Sequence, residues 1–141
     1  MISKKSKIIK NISRNKDKRG YILSIVDDNI SNVSIISCNK GSIRSNHYHL
    51  KDFHYMYVLE GEIDYFFKDL KTDKIKYLKI KKEENIFTPP NEIHATHFPK
   101  KTKLIVSSLN PRDKSTYEKD TRRVSFVDKK NIKNLLKIYS R

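Results

Sequence analysis

Between residues 21 and 109 the chain is punctuated every few positions, and this punctuation limits the folds open to it. Short stretches rich in β-branched and aromatic residues fall at 21–26, 32–37, 43–49, 54–60, 62–68, 74–81, 86–88, 93–98 and 102–109. Asn-, Asp-, Gly-, Lys- or Pro-containing turns separate them. Alternation within these stretches, as in Lys76, Leu78 and Ile80 against Ile75, Tyr77 and Lys79, has the period of a half-buried strand. Many short strands at regular spacing predict an all-β sandwich or barrel. Only the tail carries a helical period, with Ile132, Leu135, Leu136 and Tyr139 recurring over residues 129–139 and Asp128 placed as an N-cap. We expect one domain: a basic N-terminal segment at 1–20, a barrel at 21–111 and a C-terminal extension with a short helix at 112–141.

The 31 basic and 16 acidic side chains give a formal charge of +15, which first suggests a nucleic-acid partner. The distribution argues otherwise. Residues 1–20 carry eight basic groups against Asp17 (+7), residues 21–111 thirteen against eleven (+2) and residues 112–141 ten against four (+6). The middle is nearly neutral, the basic ends lack interleaved aromatics for base stacking, and no specific nucleic-acid binding is expected. The longest apolar run, Tyr55 to Leu59, is far too short to span a bilayer, so no transmembrane segment is expected. A single cysteine, Cys38, and no secretory apolar region after the first methionine point to a reducing compartment, the cytoplasm.

The chemistry lies in the five histidines, which fall into two clusters: His47, His49 and His54, then His94 and His97. His47 and His49 share a strand face, His54 follows one turn later, and His94 arrives from a distant strand through Pro89-Pro90-Asn91. Four imidazoles meeting inside a barrel would suit a divalent transition metal such as Zn, Fe, Ni, Cu or Mn. His97, on a regular strand, alternates away from His94.

The spacing resembles the two-part cupin signature. Gly41, five residues, His47-Tyr48-His49, four residues, His54, six residues and Gly61 reproduce the intervals of the first part. Glu83, five residues, Pro89-Pro90-Asn91, two residues, His94, three residues and Phe98 reproduce those of the second. The resemblance implies a double-stranded β-helix (jelly-roll) barrel with a metal held by His47, His49, His54 and His94. His54 stands where the family has a glutamate, so the implied shell has lost one negative charge. Asn91 and Glu83 stand where the family has glycine. The text from Arg44 to His49, Phe87-Thr88-Pro89-Pro90, and Asn110-Pro111-Arg112-Asp113 is similar to sugar-nucleotide cupins. These include capsular-polysaccharide cupins and relatives of dTDP-4-dehydrorhamnose 3,5-epimerase.

That resemblance implies an epimerase or keto-isomerase acting on a nucleotide-linked 4-keto-sugar in surface-polysaccharide biosynthesis. Arg44 would bind the diphosphate. His49 would be the base if no metal binds, as a first-motif histidine is in metal-free epimerases of the wider group, and His97 is a further catalytic candidate requiring a displaced strand. The competing readings are a metal-dependent dioxygenase and a non-catalytic binding cupin. A homodimer through an outer sheet face or exchanged end strands is expected, on the ground that Tyr55 and Tyr57 sit opposite His54 and Met56.

Overall fold

Val58, Ile63, Tyr65, Ile80, Ile86, Leu104 and Val106 come from strands far apart in sequence and meet in one buried cluster with Cys38, Met56, Phe67 and Phe98. A computed structural model, in which residues 2–140 are described, shows how the chain brings them together. In order the elements are β1 (Lys7–Ile9), β2 (Ile12–Asp17), β3 (Gly20–Ser24), β4 (Asn32–Cys38), β5 (Ile43–His49), β6 (His54–Glu60), β7 (Ile63–Asp69), β8 (Lys76–Ile80), β9 (Asn85–Thr88), β10 (Glu92–His97), β11 (Thr102–Ser108), α1 (Lys114–Asp120), β12 (Thr121–Arg123) and α2 (Ile132–Tyr139).

Two five-stranded antiparallel sheets, ordered β1-β9-β6-β11-β4 and β12-β5-β10-β7-β8, face each other across that cluster, and β2-β3 forms a separate hairpin. This is the jelly-roll barrel expected from the strand pattern. Consecutive strands such as β4 and β5 lie in different sheets, so residues close in sequence end on opposite walls of one interior.

Both ends enter the sheets, a correction to their reading as appendages. Lys7–Ile9 pairs with Phe87–Asn85, and Thr121–Arg123 pairs with His49–His47. Each addition covers a strand that would otherwise be a sheet edge, and three-residue strands carry too little pattern to be seen in sequence. The helical content also differs. Residues 114–120 form α1, started by Asp113, whose carboxylate accepts from Thr116 N at 3.0 Å. The tail helix begins later than its period suggests: Asn131 is the N-cap residue, and Asp128 instead accepts from the backbone N–H groups of Lys130 and Asn131. Helix α2 lays Ile132 and Leu135 against Phe66 and Ala95 on the outer face of the second sheet.

Tyr55 does not reach a free outer face. It is 3% exposed, packs on Phe53 and Phe87 under Ile9, Val26 and Ile30, and donates its hydroxyl to Asp28 at 2.6 Å. The part of a homodimer expectation that rested on Tyr55 is thereby withdrawn. Val33 and Ile35 on β4 are the large apolar side chains of that sheet left most exposed, at 63% and 70%.

Two of the motif glycines are needed for different reasons. Gly41 has φ +83° with nothing within 4 Å of an added Cβ. Gly61 has φ +86°, and a Cβ there would lie 2.3 Å from Thr102 Oγ1, 2.6 Å from the Lys101 carbonyl and 2.8 Å from Thr102 Cα. Gly41→Ala is therefore expected to cost about 1 kcal/mol, the left-handed backbone penalty alone. Gly61→Ala must also displace backbone and is expected to cost about 3 kcal/mol or more. Urea denaturation of the two variants checks this, and equal costs would contradict the close approach at Gly61.

Candidate active site

A regular strand would send Arg44 and His47, three residues apart, to opposite faces. Both nevertheless border the same cavity. The cause is a bulge: β5 pairs with β10 as His47↔His94 and then Ser45↔Ala95, leaving Asn46 as an extra residue. Ser45 (φ 73°) and Asn46 (φ 57°) both take the left-handed conformation. Asn46 is held there by two bonds to the same residue, donating to the Val127 carbonyl at 2.9 Å and accepting from Val127 N at 2.8 Å. On the facing turn Asn91, in place of the motif glycine, has φ 60°, and its N–H donates to the His49 carbonyl at 2.7 Å. Glu83 also keeps the glycine-like conformation, at φ 69°.

The cavity, of about 190 Å³, is bordered by His47, His54 and His94, by Met56, Leu104 and Val106 of the core, and by Arg44, Arg112 and Tyr117. The rings of His47 and His94 meet edge to face at 4.8 Å, and His94 stacks on Tyr65 at 6.1 Å.

The hydrogen bonds settle the state of His49. Thr121 Oγ1 gives its one proton to the Tyr117 carbonyl at 2.6 Å, so at 3.2 Å from His49 Nδ1 it can only accept. His49 Nε2 is then the bare nitrogen and accepts from His54 Nε2 at 2.9 Å. Both nitrogens of His49 are engaged, and the ring lies behind the cavity wall. His94 donates Nδ1–H to the Glu92 carbonyl at 3.2 Å, which leaves its Nε2 as a lone pair. His47 has no protein hydrogen bond among the described residues, and its buried Nδ1 lacks a partner.

All four rings are held neutral. Burial, followed by the charges of His94, His49, Arg123 and Arg112, pushes His47 down to about 2. Burial and then Arg112 take His49 to about 4, burial and then His49 take His94 to about 3, and burial with its histidine neighbours holds fully enclosed His54 well below the usual imidazole range. Asp52 goes the other way. Burial raises it to about 6, although Asn110 N donates to it at 2.9 Å.

The four histidines lie in one continuous set of ring contacts. Their ligand atoms fall into two overlapping sets, His47-His49-His94 and His49-Asp52-His54, each spanning no more than 4.8 Å. The first set, part of the four-histidine site implied by the motif, is a compact three-histidine group. Its neutral, buried imidazoles have the donor chemistry for a divalent transition ion, although His49 Nε2 would have to release His54.

Sequence reading missed what the C-terminal segment contributes. Tyr117 on α1 faces His49 at 5.5 Å and His47 at 6.2 Å, and the Arg112 guanidinium lies 5.3 Å over its ring. Asp120 accepts from Lys51 N and Asp52 N, both at 2.9 Å, and thereby pins the turn between His49 and His54. The Asn110-Pro111-Arg112-Asp113 similarity was the available signal for Arg112; nothing local marks Tyr117.

His97 is no part of the site. The bulge lies in β5, so β10 keeps its alternation and His97 projects outward to Asp64, with Nδ1 2.8 Å from Oδ2. Asp64 also takes Lys79 at 2.7 Å and the Tyr77 hydroxyl at 2.5 Å. Burial raises the carboxyl, but these partners outweigh it and hold Asp64 below its usual value.

A two-sheet jelly roll with histidines at these positions on an inner wall defines a cupin. The chain belongs to the polysaccharide biosynthesis C-terminal domain family, whose model matches residues 15–109. Among solved structures it is similar to QdtA, a sugar 3,4-ketoisomerase from Thermoanaerobacterium thermosaccharolyticum in complex with TDP, with a TM-score of 0.69, 21% identity, and coverage of 87% of this chain and 90% of that one. It is similar to dTDP-4-dehydrorhamnose 3,5-epimerase from Sulfolobus tokodaii, with a TM-score of 0.70, 17% identity and coverage of 91% and 82%. It is also similar to the capsular polysaccharide assembling protein CapF from Staphylococcus aureus, with a TM-score of 0.62, 20% identity and coverage of 83% of this chain and 35% of that one. At these identities the likeness is one of fold. No curated protein sequence matches the chain. Among the described residues no helix is long and apolar enough to cross a membrane.

Proposed function

We propose that this protein interconverts keto-sugars carried on a nucleoside diphosphate, by epimerising a carbon beside the ketone or by moving the ketone to its neighbour. One observation carries the reading: buried neutral imidazoles wall a cavity that is also bordered by two arginines, Arg44 and Arg112, neither of which makes an ion pair among the described residues. Solved proteins of similar fold support the same substrate class: QdtA in complex with TDP or with TDP-4-keto-6-deoxyglucose, and the TDP-quinovose 3,4-ketoisomerase WlaRB. The cavity, about 190 Å³, falls below the roughly 300–1,000 Å³ of pockets that enclose a whole ligand. A sugar ring enters and the nucleotide stays outside.

A ketone acidifies the C–H bonds on its neighbouring carbons. Catalysis therefore needs a base for that proton and a donor to hold charge on the carbonyl oxygen as the enolate forms. The base assignment passes from His49 to His47. His49 has both nitrogens engaged, by Thr121 and by His54, whereas His47 borders the cavity with its Nδ1 unpartnered. Delivery of a proton to the other face of the same carbon, from an acid on the side opposite His47, gives the epimer; delivery of a proton to the former carbonyl carbon, with proton exchange between the two oxygens, gives the isomeric ketone. Burial first, then the neighbouring His94 and His49 rings, with smaller contributions from Arg123 and Arg112, keep the proton affinity of His47 low in the empty cavity.

A second reading is metal-assisted. An ion held by His47, His49 and His94 would polarise the ketone as a Lewis acid, and His47 would then not be free as a base.

Incubation with TDP- and UDP-linked 4-keto-6-deoxyhexoses in deuterated water is expected to incorporate deuterium beside the ketone, followed by NMR. No exchange with any member of the panel, with or without added Zn, Fe, Ni or Mn, sinks the proposal. Activity that survives chelation supports His47 as base, and activity lost to a chelator and restored by an ion supports the second reading.

A further inference from the structure

Arg44 reaches the cavity from β5 and is one of its two arginines. The other, Arg112, comes from the segment that leaves β11, outside the 15–109 match. Arg44 bonds the protein weakly, from Nη2 to the Ser37 carbonyl at 3.3 Å and to the Cys38 thiol, and makes no ion pair among the described residues. Arg112 is half-buried, and its one contact with a ring is the stack on Tyr117. By contrast Arg14, Arg19 and Arg123 are each paired with a carboxylate. Half-burying a guanidinium against an aromatic face, with no counter-ion, leaves its donor edge available for an incoming anion.

Tyr117 is itself held in place. Asp113 caps the helix that carries it, and its carbonyl accepts from Thr121. Asp120, three residues on, fastens the same helix to the turn between His49 and His54. Tyr117 thus presents one side of its ring to Arg112 and its surroundings to His47 and His49.

We propose that Arg112, stacked on Tyr117, is a substrate-binding residue that grips the diphosphate of the nucleotide sugar together with Arg44. The α1 segment is therefore part of the substrate site and not a structural appendage. This rests on the nucleotide-sugar reading above. Arg112 binds the anion, and Tyr117 is a positioning residue that fixes the guanidinium beside the histidine wall.

The test is calorimetric binding of TDP and of inorganic pyrophosphate to the full chain. Arg112→Gln is expected to weaken TDP binding about ten- to hundredfold, the range for losing charge-assisted hydrogen bonds. Arg112→Lys should recover part of that loss but not all, because the planar fork and the stack are gone. Tyr117→Phe keeps the ring and should bind TDP like the parent, while Tyr117→Ala should weaken it roughly three- to tenfold. Arg122→Gln, outside the cavity, should change nothing. With substrate, Arg112→Gln should raise KM more than it lowers kcat.

Unchanged TDP affinity in an Arg112→Gln protein of parental melting temperature overturns the inference and leaves the nucleotide-sugar reading intact. A parent protein that binds neither TDP, UDP, ADP nor pyrophosphate overturns that reading itself.

Discussion

His47→Asn is expected to lower kcat by about 10³-fold while TDP still binds within a few-fold of the parent affinity. General-base catalysis contributes roughly 10²–10⁴-fold, and the removed ring binds no part of the diphosphate. Deuterium exchange beside the ketone should fall with kcat, because proton abstraction is the step removed. The parallel variants make the assignment specific. His97→Asn should leave kcat within about threefold, since that ring lies on the outer face, yet lower the melting temperature because Asp64, 1% exposed, loses a partner. His49→Asn removes the acceptor for His54 and the donor to Thr121. Its loss should be smaller than that of His47 and accompanied by reduced stability. If His49→Asn abolishes exchange and His47→Asn does not, the base is wrongly placed.

The parts of this site that were legible in sequence are those fixed by turn chemistry and short-range period. Gly41, Gly61 and Asn91 stand at positive-φ turns, where few other residues are comfortable. His47 and His49, two apart on one strand, share a wall by alternation, and the four-residue turn after them carries His54 to the facing sheet. The misplaced parts depend on contacts between distant segments. Arg44 joins His47 on one face only because Asn46 is extruded, and Val127, 81 residues away, holds it there. Neither partner announces the other locally. Tyr117 reaches the histidines because three residues, Thr121 to Arg123, pair with β5, a strand too short to leave a period. His49 seemed the natural base until Thr121 and His54 were seen to occupy both its nitrogens. The net charge of +15 was a poor guide for a related reason: the arginines that matter are those without carboxylate partners at the cavity, and charge counting does not separate them from solvated lysines.

The neutral histidine wall should also make the fold acid-labile. In the presence of a chelator, stability is expected to fall steeply from about pH 6.5 downward, with cooperative unfolding near pH 5. The sign follows from where the protons bind. His47, His49 and His94 are lowered to about 2, 4 and 3, and His54 lies well below its usual range, whereas in the unfolded chain all four titrate near 6.5. Below that pH the unfolded state holds more protons, so each ring costs the native state about 1.4 kcal/mol per pH unit until its own folded value is reached. Asp52, raised to about 6, has the opposite sign: its burial penalises the native state above that pH and is relieved as the solution becomes acid. At pH 5 this returns roughly 1 kcal/mol against a loss of about 8 kcal/mol from the four rings, about 2 kcal/mol each. The remainder is comparable with the whole stability of a small domain, about 5–15 kcal/mol. Asp64, held below the usual carboxylate value, contributes stability above about pH 4 that is lost only on further acidification, so it cannot account for a transition near pH 5. Urea titrations at half-unit intervals from pH 7.5 to 5 should show the free energy of unfolding falling with a slope of more than two protons. A flat profile would mean that the four rings are not held neutral. Substituting one of them by Gln should then reduce the slope by about one proton, at whatever cost to the plateau, which separates the titration of the wall from a general loss of packing.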